Sequence, residues 1–458
     1  MIKLKPKKLL LCALASVMAF GIIGGAWGLA ERHAIAAESK PESKKIKNVI
    51  FMIGDGMGYS YTAAHRYMKD NPDTPLMEKT LFDQHLIGSQ MTYPEDPKEN
   101  ITDSASAATA MSAGVKTYNN AIAVDNDHSR VKTVLEHAKG KGMSTGLVAT
   151  SEVTHATPAA FGAHEDSRKN MDQIADDYFD EWVYGKHKID VMLGGGKSNF
   201  ARKDRDLTKE FQEDGYSYVT NREQLLKDDS EQVLGLFADG GLDKMIDRSS
   251  ETPSLKDMTE SAIKRLDKNE EGFFLMVEGS QIDWAGHDND VVAAMSEMED
   301  FEQSLQAVLE FAEKDGETLV VLTADHSTGG FSLGTDGEYS FDVAPIKAAK
   351  RTPDYMAAKI AGGADVEQTL KAYIDLELKP EEMDSVKKAA ETKNVAEIDN
   401  AIEKIFDKRT FSGWTTGGHT GEDVPLIAYG PGKEQFAGLI DNIDNATKIF
   451  KIIDENHK

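Results

Sequence analysis

Carboxylates and imidazoles recur in this chain at one kind of place, the end of a short apolar run. Gly54-Asp55-Gly56-Met57-Gly58 follows the run 48–53, and His155 and Thr157 follow 144–150. Glu278 closes 272–278, with Asp283 and His287 just beyond; Asp325 and His326 follow 318–323, and His419 stands shortly before 425–429. Asp and His together suit zinc, whereas the oxygens of Asp, Thr and Glu suit magnesium. The spacing Asp283-x-x-x-His287 puts both side chains on one face if the segment is helical. Asp325-His326 runs into the tight turn Ser327-Thr328-Gly329-Gly330, and His419 lies in Gly417-Gly418-His419-Thr420-Gly421, where backbone can approach a ligand closely. Singly, each residue also reads as a cap on a helix or loop; as a group they point to bound divalent metal. The histidines at 65, 85, 128, 137, 164, 187 and 457 lack such settings and read as surface or core residues.

A nucleophile for that metal chemistry is offered by Ser104, in Ile101-Thr102-Asp103-Ser104-Ala105-Ser106-Ala107-Ala108-Thr109. Thr102 or Asp103 can cap a helix there, placing Ser104 at its N-terminus, where free N–H groups and the helix dipole favour anions. A serine hydroxyl is a weak nucleophile until a base or a metal activates it. By spacing alone the segment also reads as an alanine-rich helix with a serine in its first turn.

These residues need a scaffold that brings strand ends together. The apolar runs 48–53, 144–150, 189–193, 272–278, 318–323 and 425–429 alternate with stretches of helical period, notably 130–141, 168–184 and 290–313. Short continuous apolar strands alternating with helices predict an α/β fold: a buried, mainly parallel sheet with helices on both faces. In such sheets ligands bind beyond the carboxyl ends of the strands, where the Asp and His residues collect. Residues 335–410 are rich in Ala, Lys, Glu and Asp and carry few strand signals. Pro353-Asp354 and Pro380-Glu381-Glu382 read as helix starts, so this stretch is expected to be a helical insertion, either covering the site or a dimer contact, or a plain surface excursion.

The blocks NVIFMIGDGMG, ITDSASAAT, THATPAAF with Arg168 after it, VEGSQIDWAGH, TADHSTGG and GGHTGEDVP resemble those of the alkaline phosphatase family, in its order, from about residue 48 to 430. The resemblance implies a metal-dependent phosphomonoesterase with a three-layer α/β/α sandwich and a homodimer. It implies Ser104 as the phosphorylated nucleophile, and Asp103, Arg168 and Trp284 on the phosphate side. It implies two zinc ions, one on Asp55, Asp325 and His326 and the other on Asp283, His287 and His419. A third metal, usually magnesium, would sit on Asp55, Thr157 and Glu278, with His155 beside it. His155 and Trp284 stand where some members carry Asp and Lys; weaker magnesium binding, or tolerance of another divalent metal, and faster phosphate release are the expected consequences. A phosphodiesterase or nucleotide pyrophosphatase of the same superfamily is the main alternative, disfavoured because those carry threonine as nucleophile. A non-catalytic metal or phosphate carrier would have no use for Ser104.

Composition narrows partner and compartment. A formal net charge of −26 argues against a nucleic-acid-binding surface, which needs a basic face; the resemblance implies small phosphomonoesters as the substrates. Lys3, Lys5, Lys7 and Lys8, the uncharged run from Leu9 to Ala30 and the small residues Ala34, Ala36 and Ala37 have the form of a secretory signal over 1–37. The mature catalytic domain would then be 38–458, secreted or periplasmic and free of the membrane; the run is also long enough to span a bilayer as a retained anchor. Cys12, the one cysteine, falls inside that segment, so the mature chain has no disulfide to lean on.

Overall fold

The computed structural model describes residues 45–457; the signal segment and Cys12 lie outside the described residues. Ten strands form one sheet. In chain order they are β1 (Asn48–Gly54), β2 (Leu86–Met91), β3 (Ser144–Glu152), β4 (Val191–Gly195), β5 (Ser217–Val219), β6 (Val233–Leu236), β7 (Phe273–Gly279), β8 (Thr318–Thr323), β9 (Val424–Tyr429) and β10 (Gly438–Asp441). Their spatial order is β10-β2-β9-β8-β1-β7-β3-β4-β6-β5. Every pairing is parallel except the two made by β9, which runs against β8 and β2. The sheet is therefore mainly parallel, as the apolar runs predict.

Side-chain alternation along the central strands divides the core in two. Ile50 and Met52 of β1, Leu275 and Val277 of β7, and Val320 and Leu322 of β8 pack on one face. Val49, Phe51 and Ile53, Phe274 and Met276, and Leu319 and Val321 pack on the other. A strand buried on both faces has no polar side to show, which is why these segments read as unbroken apolar runs. The first face is covered by α1 (Tyr59–Lys69), α6 (Leu255–Leu266) and α8 (Val291–Asp315). The second is covered by α2 (Ser104–Ala113), α3 (Val134–Gly140), α4 (Ala156–Gly162), α5 (Met171–Asp180) and α13 (Ile443–Asn456). This is the three-layer α/β/α sandwich.

Between β7 and β8 the chain also forms α7 (Gln281–Asp288). Between β8 and β9 it forms the short helix Ala344–Ala348, then α9 (Pro353–Ala361), α10 (Val366–Tyr373), α11 (Pro380–Ala390) and α12 (Val395–Thr410). Pro353 and Pro380 stand at the first helical positions, where a missing N–H costs nothing.

Two boundaries differ from the periodicity. The helical stretch 168–184 shortens to α5, because after Asp180 the chain turns into a small hairpin pairing Trp182 with His187. The stretch 130–141 starts only at Val134, where Thr133 and Glu136 form a reciprocal capping box. The strands β2, β5, β6 and β10 were not legible as strands: β5 and β6 span only three and four residues, and β2 and β10 are partly exposed.

Candidate metal-dependent active site

Four neighbouring central strands, β8, β1, β7 and β3, point the same way and end side by side. Asp55 follows β1, Glu278 is the penultimate residue of β7, Asp325 and His326 follow β8, and His155 and Thr157 follow β3. Because β9 is antiparallel, the residues preceding it reach the same edge, which brings in His419. The loop after β2 delivers Asp103 and Ser104. The predicted residues thus converge for a topological reason.

Gly56 makes the first close approach possible. It sits at φ +73°, and a Cβ there would meet the Asp283 Cα at 2.7 Å. Its N–H donates to Asp325 Oδ1 at 3.0 Å, as does that of His326. Asp325 Oδ2 and both oxygens of Asp55 are buried without a hydrogen-bond partner among the described residues. His326 Nε2 lies among three oxygens: Asp325 Oδ2 at 3.1 Å, Ser104 Oγ at 3.2 Å and Asp55 Oδ1 at 3.5 Å.

A second group forms on α7, whose helical geometry sets Asp283 Oδ2 3.3 Å from His287 Nε2. His419 Nε2 lies 3.1 Å from His287 Nε2 and 3.6 Å from Asp283 Oδ1. Asp55, His155 and Glu278 form a third group, with the Thr157 hydroxyl and Glu278 Oε1 both buried and unpartnered among the described residues.

The imidazoles are oriented from behind. His287 Nδ1 donates to the Gly417 carbonyl at 2.7 Å and His419 Nδ1 to the Thr102 carbonyl at 2.8 Å. Thr328 donates its hydroxyl to Asp283 Oδ1 at 2.5 Å, so its oxygen accepts from His326 Nδ1 at 3.2 Å. In the neutral form of each ring these bonds leave the lone pair on Nε2, on the side of the carboxylates, as metal-ligating histidines are set. The sequence reading assigns Thr328 and the Thr102 and Gly417 carbonyls no part in orienting these rings. The signal available was weak: a hydroxyl two positions past His326, and two backbone groups that only tertiary structure brings near.

The electrostatics are those of a site short of positive charge. Burial, then the charges of Asp325, Asp283 and Glu278, push Asp55 well above the carboxylate range. Glu278 is lifted to about 7, chiefly by burial. Burial would also raise Asp283, but its hydrogen bond to His287 and the nearby imidazoles hold it below the usual range. That bond in turn raises His287 to about 9, while burial and the neighbouring His326 lower His419 to about 4. Buried carboxylates persist as anions only when paired or bound to cations. The orphaned oxygens and the exposed lone pairs fit divalent metal.

Ser104 is the first residue of α2, and Asp103 is its N-cap, accepting from Ser106 N at 2.9 Å. The other Asp103 oxygen accepts from Asn120 N at 3.0 Å and from Arg168 Nη1 at 3.2 Å. Arg168 Nη2 donates to His155 Nε2 at 3.0 Å. Burial, then the positive charge of Arg168, drive the His155 pKa down to about 3. With Nε2 accepting from arginine, the His155 ring differs from the other three: the lone pair it offers is already engaged. The Trp284 ring meets His155 edge-on, with centroids 5.8 Å apart, and packs over Gly241. A cavity of about 450 Å³, lined by residues 98–103, Asn119 and His419, opens beside Asp103. Such a site can accept an anion at a helix N-terminus and present a hydroxyl to it.

Residues 46–454 match the family model described as alkaline phosphatase. "Alkaline phosphatase 3" of Bacillus subtilis (strain 168) is 65% identical, over 99% of this chain and 98% of that protein. The crystal structure of a cold-active alkaline phosphatase from Shewanella sp. superposes with a TM-score of 0.84 at 40% identity, over 89% of this chain and 99% of that one. A His-to-Asp mutant of the TAB5 alkaline phosphatase with Mg bound in the M3 site superposes with a TM-score of 0.65 at 31% identity, over 90% of this chain and 99% of that one.

Proposed function

The chain belongs to the alkaline phosphatase family and hydrolyses phosphate monoesters, and from that premise we propose that Ser104 is the residue that takes up the phosphoryl group. The observation that carries this is the Ser104 hydroxyl itself. It is buried at the N-terminus of α2, 3.2 Å from His326 Nε2 and beside the Asp55–Asp325 pair.

In this reading Ser104 Oγ forms a bond to phosphorus as the ester P–O bond breaks and the alcohol leaves with a proton. Water then forms the new P–O bond, the Oγ–P bond breaks, and inorganic phosphate departs. The first-turn N–H groups of α2 face the phosphoryl oxygens and stabilise their charge. Arg168, swung from His155 and held by Asp103, can give two parallel hydrogen bonds to phosphate, which a lysine could not. Trp284 adds no cation, so the product is held by fewer charges.

The family resemblance and the donor sets support a divalent-metal requirement. Zinc is proposed on Asp55, Asp325 and His326 and on Asp283, His287 and His419, with magnesium or another divalent metal on Asp55, Thr157 and Glu278 next to His155. When bound, such ions would supply positive charge to the phosphoryl oxygens and lower the pKa of hydroxyl groups and water; the need for the deprotonated form is what favours alkaline conditions. The proposal extends to a homodimer and to export by residues 1–37. No helix among the described residues is long and apolar enough to cross a membrane.

Replacing Ser104 with alanine tests the reading. Turnover of p-nitrophenyl phosphate should drop by at least about a thousandfold, while metal content and binding of inorganic phosphate persist. A variant that keeps wild-type turnover would refute it.

A further inference from the structure

A second buried carboxylate group lies away from the catalytic residues, where the helical insertion packs on the core. Asp288 ends α7, Asp290 is the N-cap of α8, Asp354 is in the first turn of α9, and Asp399 and Glu403 lie one turn apart on α12. Asp290, Asp399 and Glu403 are only 1%, 3% and 5% exposed. Asp290 Oδ1 caps α8 through Val292 N and Ala293 N. Asp290 Oδ2, Asp399 Oδ1 and Glu403 Oε1 are all buried with no hydrogen-bond partner among the described residues. Lys244 answers part of the charge: its Nζ lies 2.8 Å from Asp354 Oδ2 and 3.9 Å from Asp288 Oδ2. Lys404, at the edge of the same region, is exposed to solvent.

We propose that this group binds a hard divalent cation of the calcium type, which fastens α12 of the insertion to the α7–α8 junction. Orphaned buried oxygens on three residues from two different elements, near enough that the charge of Asp290 bears on both Asp399 and Glu403, call for a shared positive partner. The donors are all oxygens, with no histidine or cysteine, which selects against zinc. Calcium accepts six to eight oxygens in irregular arrangements, whereas magnesium demands a near-octahedral set; carboxylates contributed by four separate helices suit the former. A cavity of about 290 Å³, lined in part by Asp288, Glu403 and Trp414, gives an entry path and room for water ligands. Without such an ion the carboxyls hold their protons instead: burial lifts Asp290 to about 7 against the pull of Lys244, and burial, then the neighbouring carboxylates, lift Asp399 to about 9 and Glu403 to about 10.

The test is equilibrium dialysis of the full chain, saturated with zinc and magnesium, against radioactive calcium. The wild type should retain one calcium per chain in the presence of excess magnesium. Glu403→Gln and Asp399→Asn, made separately, should each weaken that binding by at least about tenfold while p-nitrophenyl phosphate turnover stays unchanged, which also certifies their folding. Calcium should raise the unfolding midpoint of the wild type and leave that of Glu403→Gln in place. A wild type that binds no calcium, or variants that bind it as the wild type does, would overturn the proposal. Binding and unfolding are read without turnover, so they stand or fall apart from the role of Ser104.

Discussion

Arg168 Nη2 donates to His155 Nε2 at 3.0 Å, while its Nη1 reaches Asp103 at 3.2 Å. The arginine is thus tethered between the cap of the nucleophile's helix and a neutral imidazole that borders the Asp55–Glu278 pair. A histidine in that position links two things a carboxylate would separate: it lends its lone pair to the arginine and adds no negative charge for a third metal.

Exchanging His155 for aspartate should therefore tighten magnesium at Asp55, Thr157 and Glu278 by roughly 10- to 100-fold. Titration of a metal-free preparation with magnesium, followed by calorimetry, checks this. Equal affinities in the two proteins would show that His155 does not govern the site.

Trp284 packs edge-on to the same imidazole and over Gly241, where it brings bulk without charge. A cation introduced there would add a charge-assisted contact to phosphate, worth about 1.5 kcal/mol or tenfold in affinity. Trp284→Lys should accordingly lower the inhibition constant of inorganic phosphate by about that factor and slow product release. An unchanged constant would remove Trp284 from the phosphate side.

Stability in alkali should carry the mark of His164. Burial alone would lower its pKa, but Glu136 and Glu181, at 3.5 and 3.4 Å, raise it to about 9 from 6.5. A raised pKa gives stability that is complete below the unfolded value and lost as the pH climbs through the folded one. Denaturant unfolding should show up to about 3 kcal/mol lost from this group as the pH rises over that interval. His164→Gln should flatten the slope; parallel slopes for the two proteins would contradict the assignment.

The sequence made the centre of the molecule readable and its margins obscure. The runs 48–53, 272–278 and 318–323 are buried on both faces, so hydrophobicity alone marks them and fixes where Asp55, Glu278 and Asp325 stand at or just past their ends. Asp103 capping α2 and the Asp283–His287 pair on α7 followed from local rules of helix geometry. By contrast β2 shows a half-exposed, mixed pattern, and the antiparallel course of β9 is a tertiary choice that no local signal encodes. The same holds for Thr328, which matters only through two partners, one of them 45 residues away. Asp399 and Glu403 lie in the Ala-, Lys-, Glu- and Asp-rich stretch 335–410, where no local signal marks that packing of α12 on the core buries them.

Catalysis by Ser104 is tested most directly by acid-quenching the metal-loaded enzyme during turnover of a simple phosphomonoester and mapping its peptides by mass. The peptide containing Ser104 should carry one phosphoryl group in the wild type and none in Ser104→Ala. A phosphoryl group on another residue, or none under conditions where the intermediate should accumulate, would contradict the account.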